Sequence, residues 1–368
     1  MPDFNFTVRA VDNSGAFADR NFTITVQNTK IEKFVAITDN DAYTSQDGVK
    51  WTRRTDLGGR YVSFGGGVWI ITINNTDYYT SPDGIVWTRR SFPSAIYNRG
   101  AVWVNNAWWI LTYNSTTSSY RFTTSTDGLN WTNSNDLPAG ITPVRQGHMA
   151  VGGDGTDKLY LSFGNWNASP TDTGQQAGPI YRIYGAVGSQ LLDAYDLPNR
   201  SQNVHDIKFA NGVLVAANIA GVYGECNMYS FNGLLWHTTP TPVKEWNGNS
   251  LHYPNSITYG NGYFVCAHGK NTIYGAYASR INNVSISTDG VKWTTTIMPN
   301  GWILDSNQTF DNCFAAFSNG TFVIGCDNNS NQPRFVYCQG DPSVSANWKL
   351  GIIDTTGNTP VRSIYGIV

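Results

Sequence analysis

The sequence predicts an all-β protein: a seven-bladed β-propeller of four-stranded antiparallel blades, closed by the C-terminal strand joining the first blade and preceded by a β-hairpin. Three observations carry this expectation. A Ser-x-Asp-Gly-x-x-Trp phrase recurs four times, pairs of short apolar strands recur between its copies, and the two chain ends hold complementary parts of one unit.

The phrase stands at 44–51 ("TSQDGVKW"), 80–87 ("TSPDGIVW"), 124–131 ("TSTDGLNW") and 286–293 ("ISTDGVKW"). Its residues are Ser45, Asp47, Gly48 and Trp51, then Ser81, Asp83, Gly84 and Trp87. The later copies hold Ser125, Asp127, Gly128 and Trp131, and Ser287, Asp289, Gly290 and Trp293. Asp-Gly favours positive φ, so each phrase is expected to form a two-residue hairpin turn of type I′. The Asp carboxylate accepts backbone N–H groups inside such a turn. Ser reaches across it, and Trp anchors it in apolar packing. Every residue type has a structural job, so the motif needs no catalysis to explain it.

The alternating phrase is an apolar strand pair around a Gly or Asn turn. It appears as "SFGGGVWIIT" (63–72), "WVNNAWWILT" (103–112), "VGGDGTDKLYLSF" (151–163), "KFANGVLVAAN" (208–218), "TYGNGYFVCAH" (258–268) and "AFSNGTFVIGC" (316–326). Combined, the two phrases make four antiparallel strands in roughly 36–58 residues, the size of a propeller blade. Degenerate copies fill the gaps. "YSFNGLLW" (229–236) has Asn232 for Asp, "SVSANWKL" (343–350) keeps only Trp348, and 181–197 keeps only the strand spacing. Closing strands at Trp51, Trp87, Trp131, about 184–196, Trp236, Trp293 and Trp348 number seven. The first unit starts directly at its second strand ("KFVAITDN"), and the chain ends in "VRSIYGIV", which matches the opening strands elsewhere. The C-terminus is therefore expected to lend the missing strand, leaving only short, protected sheet edges.

The Ser-x-Asp-Gly-x-x-Trp phrases resemble the Asp-box (BNR) repeats of sialidase-like, sortilin-like and photosystem-assembly-factor propellers, over residues 31–368. The resemblance implies boxes at the blade periphery, away from a central binding face, and it implies no single activity. Residues 1–30 form a separate segment, a hairpin in which Phe6, Val8 and Ala10 alternate on one strand and Phe22, Ile24 and Val26 on the other, around Asn-Ser-Gly. This stretch resembles the last two strands of phage and bacterial Ig-like (cadherin-like) modules. A lone hairpin is marginal in water, so it is expected to pair with a partner.

Composition narrows the function. Charged residues make up 14% and the net charge is −2, so no basic field draws nucleic acid or an anionic membrane. No apolar run spans a bilayer and no secretory signal opens the chain. The cysteines Cys226, Cys266, Cys313, Cys326 and Cys338 are odd in number and lack metal-like spacing. Cys266 and Cys326 read as buried small hydrophobes, with no disulfide framework and synthesis in a reducing compartment.

Catalytic sets are poorly supplied. Glutamates are only Glu32, Glu225 and Glu245, and the arginine phrase of sialidases has only faint echoes at 143–147 and 360–366. Glu225 with Tyr223 or Tyr229 leaves a Tyr–Glu couple open. Asp172, Asp193, Asp206 and Asp305 read as turn caps, and His148 and His205 as inter-blade hydrogen bonders. Asp154 and Asp157 suggest calcium or a hairpin turn. No cofactor is expected.

Three long insertions, 164–187, 237–256 and 266–283, mix Trp and Tyr with Asn, Gln and Ser. Such surfaces suit sugars and protein contacts. Trp166, Tyr181, Tyr184, Trp246, Tyr253 and Tyr274 are the candidate ligand-binding residues. The expected function is a non-enzymatic virion protein, a phage tail, fibre or adhesin component. Its hairpin would hold other virion subunits and its propeller would bind a protein or host surface glycan, without membrane insertion or nucleic acid. The alternatives are a sialidase-like glycoside hydrolase and a cellular scaffold or assembly-factor propeller.

Overall fold

A computed structural model describes residues 3–25, 31–96, 100–104, 106–114, 116–136, 149–153, 159–163, 180–184, 191–195, 201–220, 226–240, 252–270, 283–299, 310–328, 334–354 and 361–367. The chain divides into two units, Met1–Ile31 and Glu32–Val368.

The first unit is one antiparallel hairpin of β1 (Asp3–Val11) and β2 (Phe17–Thr25), in unbroken register with Phe6 opposite Phe22. Asp12 organises the turn, because its Oδ1 accepts the N–H of Ser14 at 2.8 Å and of Ala16 at 3.0 Å. Alternation gives the hairpin two unlike faces. One carries the stacked Phe6 and Phe22 rings, 5.5 Å apart, and the other the Arg9–Asp19 ion pair at 2.7 Å. Val26 lies outside the described residues.

The second unit is a β-propeller of antiparallel meanders, without an α-helix among the described residues. It opens with β3 (Phe34–Thr38), β4 (Ala42–Ser45) and β5 (Lys50–Arg54). Six four-stranded sheets follow. The first two are β6 (Tyr61–Gly65), β7 (Val68–Thr72), β8 (Asp77–Ser81) and β9 (Thr88–Ser91), then β10 (Val102–Val104), β11 (Ala107–Asn114), β12 (Ser119–Ser125) and β13 (Thr132–Asp136). Next are β14 (Met149–Gly153), β15 (Leu159–Phe163), β16 (Ile180–Tyr184) and β17 (Leu191–Tyr195). The sheet after that holds β18 (Ser201–Ala210), β19 (Val213–Ala220), β20 (Cys226–Ser230) and β21 (His237–Pro240). The last two are β22 (His252–Gly260), β23 (Tyr263–Lys270), β24 (Asn283–Ser287) and β25 (Thr294–Ile297), then β26 (Phe310–Ser318), β27 (Thr321–Asn328), β28 (Arg334–Gln339) and β29 (Trp348–Leu350). The chain ends with β30 (Ile352–Ile353) and β31 (Val361–Gly366).

The tail joins the head. β31 pairs antiparallel with β3, Phe34 opposite Gly366 and Ala36 opposite Ile364. β30 adds itself parallel to β5, so this sheet runs β30-β5-β4-β3-β31. The sequence predicts seven four-stranded blades. Six sheets have four strands, and the sheet uniting the ends has five. The extra strand arises because the chain leaving β29 passes the open outer edge of β5 before it turns inward. The first strand of each sheet packs on that of the next, in the cycle β31, β6, β10, β14, β18, β22, β26 and back to β31.

Two turn types alternate. Asn211-Gly212, Asn261-Gly262 and Asn319-Gly320 hold positive φ at both positions, the I′ geometry whose twist matches flanking strands. The Asp-Gly turns differ from the expected two-residue form. β4 ends at Ser45 and β5 starts at Lys50, and only Gly48 takes positive φ, at 73°. The Asp side chain supplies bonds that a tight turn would draw from the backbone, which permits the wider loop.

The cysteine expectation also needs correction. Cys313 and Cys326 are directly opposed on β26 and β27 and form a disulfide, which does not fit a reducing compartment. The pairing escapes sequence reading because the register shifts between Phe310 and Cys313. Cys266 and Cys338 are free and buried, and burial pushes the Cys338 thiol up to about 11.

Candidate functional site

The Ser-x-Asp-Gly-x-x-Trp turns are fasteners. In the first, the Gly48 N–H reaches Ser45 Oγ at 2.9 Å, and the Val49 and Lys50 N–H groups reach Asp47 Oδ1 at 2.9 and 3.0 Å. The same bonds recur around Asp83, Asp127 and Asp289, and around Asn232 in the degenerate copy. They hold the Asp127 carboxyl far below its usual range: the Asn130 N–H contributes most, against desolvation, followed by Leu129 N–H, the Asn130 side chain and Ser125.

All four glycines are needed for their positive φ, and Gly48 and Gly290 for space as well. A Cβ on Gly48 would stand 2.6 Å from Val323 of β27, and one on Gly290 2.7 Å from Val215 of β19. Both neighbours belong to the preceding sheet. The tryptophans continue this seal, with Trp51 stacked on Phe335 of the preceding sheet at 4.0 Å. Its indole N–H donates to Gly48 O at 3.0 Å. Trp131 departs from the pattern and donates to Tyr78 Oη at 3.0 Å, which donates onward to Gly128 O at 3.2 Å.

A meander alternates its connections between two ends, which gives the ring two unlike faces. The Asn-Gly turns and the Ser-x-Asp-Gly-x-x-Trp turns share one face. All connections of ten or more residues (92–101, 137–148, 164–179, 241–251, 271–282 and 298–309) depart from the other. That long-connection face is the candidate binding face.

The sequence-selected residues distribute as follows. Trp166, Trp246 and Tyr274 belong to connections of this face but lie outside the described residues. Tyr181 and Tyr253 are second in β16 and β22, at the ends adjoining the same face. Tyr184 ends β16 at the opposite face. Glu225, Tyr223, Asp154, Asp157, Asp172, Asp305 and His148 lie outside the described residues, as do the side chains of Asp193 and His205. Tyr229 stacks on His237 at 5.2 Å. Among the described residues no group of three or more His, Cys, Asp or Glu is arranged to hold a metal ion, and no helix is long and apolar enough to cross a membrane.

Sequence reasoning took Asp206 for a turn cap, whereas it belongs to an inter-sheet ladder on the innermost strands. Asp206 Oδ2 accepts the Ile257 N–H at 2.8 Å and the Ser256 hydroxyl at 3.1 Å. Ser256 Oγ accepts the Ala315 N–H at 3.2 Å, and Ser363 Oγ accepts the Val62 N–H at 3.4 Å. The signal was a short polar residue before Ile in three of the opening strands: Asp206-Ile207, Ser256-Ile257 and Ser363-Ile364.

Desolvation pushes the Asp206 carboxyl from 3.8 up to about 6, against the Ile257 and Ser256 bonds and the Lys208 charge. The native state thus holds a proton that the unfolded chain releases near pH 4. The associated stability is fully present below about pH 4 and falls as pH rises through about 6, by at most about 3 kcal/mol. Asp206→Asn is expected to flatten the melting temperature between pH 4 and 6. An unchanged slope in thermal scans would assign it to other groups.

No family model and no curated protein sequence matches this chain. Among solved structures, a quinoprotein alcohol dehydrogenase-like protein from Bacteroides thetaiotaomicron aligns at TM-score 0.56 and 9% identity, over 99% of this chain and 84% of that one. YCF48 bound to D1 peptide aligns at 0.49 and 11% identity, over 89% and 87%. Apo AztD from Citrobacter koseri aligns at 0.45 and 8%, over 98% and 94%. The first alignment supports the propeller fold and nothing finer.

Proposed function

We propose that the chain is a non-enzymatic binding propeller of the Asp-box kind, in which the five-stranded sheet counts as the seventh blade. In this reading it is a virion component whose hairpin attaches to neighbouring subunits. Its long-connection face engages a protein or a host glycan, and it needs no cofactor. The observation that carries the reading is the asymmetry of the ring. One face is sealed by short turns with internal hydrogen bonds, while all connections of ten or more residues leave from the other. The hairpin adds two nine-residue strands in a two-stranded sheet, each with an outer edge that carries no further strand among the described residues, and with Phe6 and Phe22 exposed, a form suited to strand addition by a partner.

Deletion of residues 1–28 is expected to abolish co-sedimentation with the native particle and to leave the propeller's melting temperature within about 2 °C of the full chain. Unfolding of the truncated chain would make the hairpin part of the core. Trp166→Ala and Trp246→Ala are each expected to weaken glycan-array or partner binding by roughly tenfold or more. Binding unchanged in both would remove those residues from the site.

A further inference from the structure

The turn at 229–236 repeats the fastener and presents a different surface. Its bonds are those of the other copies: the Gly233 N–H reaches Ser230 Oγ at 2.9 Å, and the Leu234 and Leu235 N–H groups reach Asn232 Oδ1 at 2.9 and 3.0 Å. Gly233 takes the same positive φ, at 70°. The backbone is therefore held alike, and what differs is the side chains it carries outward. Where the other turns have Gln46, Pro82, Thr126 and Thr288, this one has Phe231. Where they have Lys50, Val86, Asn130 and Lys292, it has Leu235, and where all four have Asp it has Asn232.

The result is an uncharged apolar tip. Phe231 is 68% exposed, Leu235 61% and Leu234 43%. Tyr229 meets the Phe231 ring edge-on at 5.7 Å and is itself stacked on His237, so the ring is braced before anything covers it. The turn is anchored from below by Trp236, buried in one cluster with Val204, Ile207 and Met228. The fold thus gains nothing from the three exposed side chains.

Side chains exposed to this degree offer on the order of 300 Å² of apolar surface, the size of patch that soluble proteins use for contacts. The turn holds no Lys or Arg and the chain's net charge is −2, which disfavours an anionic lipid surface. Its charge pattern fits a second copy of the chain. In a two-fold contact each residue meets its own counterpart, so an Asp or Lys at the tip would face a like charge. Among the described turns of this kind, only 229–236 has no ionisable side chain between its Ser and its Trp. Two copies would hide about 600 Å², half of the roughly 1,200 Å² at which stable interfaces begin, so the contact is weak by itself.

We propose that this turn is a self-association contact, in which Phe231, Leu234 and Leu235 of two copies pack about a two-fold axis. The turn belongs to the face with the short connections, so the long-connection faces of both copies stay open. A pair is then bivalent in the binding function proposed for that face. The contact itself rests neither on that function nor on the hairpin.

Sedimentation velocity of the full chain from about 5 µM to about 1 mM is expected to show reversible monomer–dimer exchange, with a Kd on the order of 0.1–1 mM. Leu235→Lys introduces the residue found at this position in the turns at 44–51 and 286–293. It is expected to fold and to weaken pairing at least roughly tenfold. Asn232→Asp restores the carboxylate of the other copies. It is expected to hold or raise the melting temperature and still weaken pairing by a similar factor, a combination that a purely structural turn would not give. A parent chain that stays monomeric up to about 1 mM, or folded variants that pair like the parent, would overturn the contact. Flotation of the parent, but not of Leu235→Lys, with phosphatidylcholine vesicles would assign the tip to a lipid surface and overturn it as well.

Discussion

Removing residues 361–368 is expected to abolish cooperative folding of the propeller rather than merely loosen one end. β31 is the inner strand of the sheet that joins the chain ends, and both neighbours in the inner cycle, β26 and β6, pack against it. Its loss would strip β3 of its pairing edge and expose Phe34, Val35 and Ala36, all fully buried. Val361 and Ile364 are buried too, worth about 1.5–3 kcal/mol each. Ser363 would no longer accept the Val62 N–H, and Ser318 would lose the Ile367 carbonyl. With the orphaned β3 edge added, the loss rivals the 5–15 kcal/mol by which a whole domain is stable. Thermal unfolding followed by circular dichroism, with limited proteolysis of residues 31–54, reads this directly. A truncated chain that melts like the full one would show that the ring holds without its tail.

Most of this closure was legible in the sequence because it rests on repetition. The Asn-Gly turns at 211–212, 261–262 and 319–320 adopt positive φ in every copy, and they set the register of apolar strands such as Val213–Ala220 and Thr321–Asn328. The similarity of "VRSIYG" to the other opening strands was enough to place β31 beside β3. What escaped were contacts without a local pattern. β30 is two residues long, and Ile352 and Ile353 pair with Lys50 and Trp51 only because the chain passes that edge. The Cys313–Cys326 bridge depends on a register shift that no spacing announces. The Asp206 ladder needs residues about fifty positions apart, and it becomes visible only when the opening strands are aligned by their turns. The candidate face was half legible: the long insertions were evident, but their common face follows from strand alternation along the whole ring.

Trp51→Ala is expected to be the most damaging single substitution in the repeated motif, costing about 3–5 kcal/mol. Trp51 is 1% exposed, and its ring lies 4.0 Å from Phe335 at an interplanar angle of 10°. Its cluster draws Phe34 and Ala36 from β3, Tyr43 from β4, Val323 and Phe335 from β27 and β28, and Val361 and Ile364 from β31. A cavity there falls on the seam where the two ends of the chain meet, and the surrounding strands are held on both sides and collapse little into it. Trp131 is half-buried and hands its N–H to Tyr78, so Trp131→Ala should cost less than half as much. Trp51→Phe keeps an aromatic face for Phe335 and forfeits the bond to Gly48 O, leaving a deficit of about 1–2 kcal/mol. Urea unfolding of the three variants ranks them. Equal losses at Trp51 and Trp131 would mean that the seam carries no more of the ring's stability than any other junction between sheets.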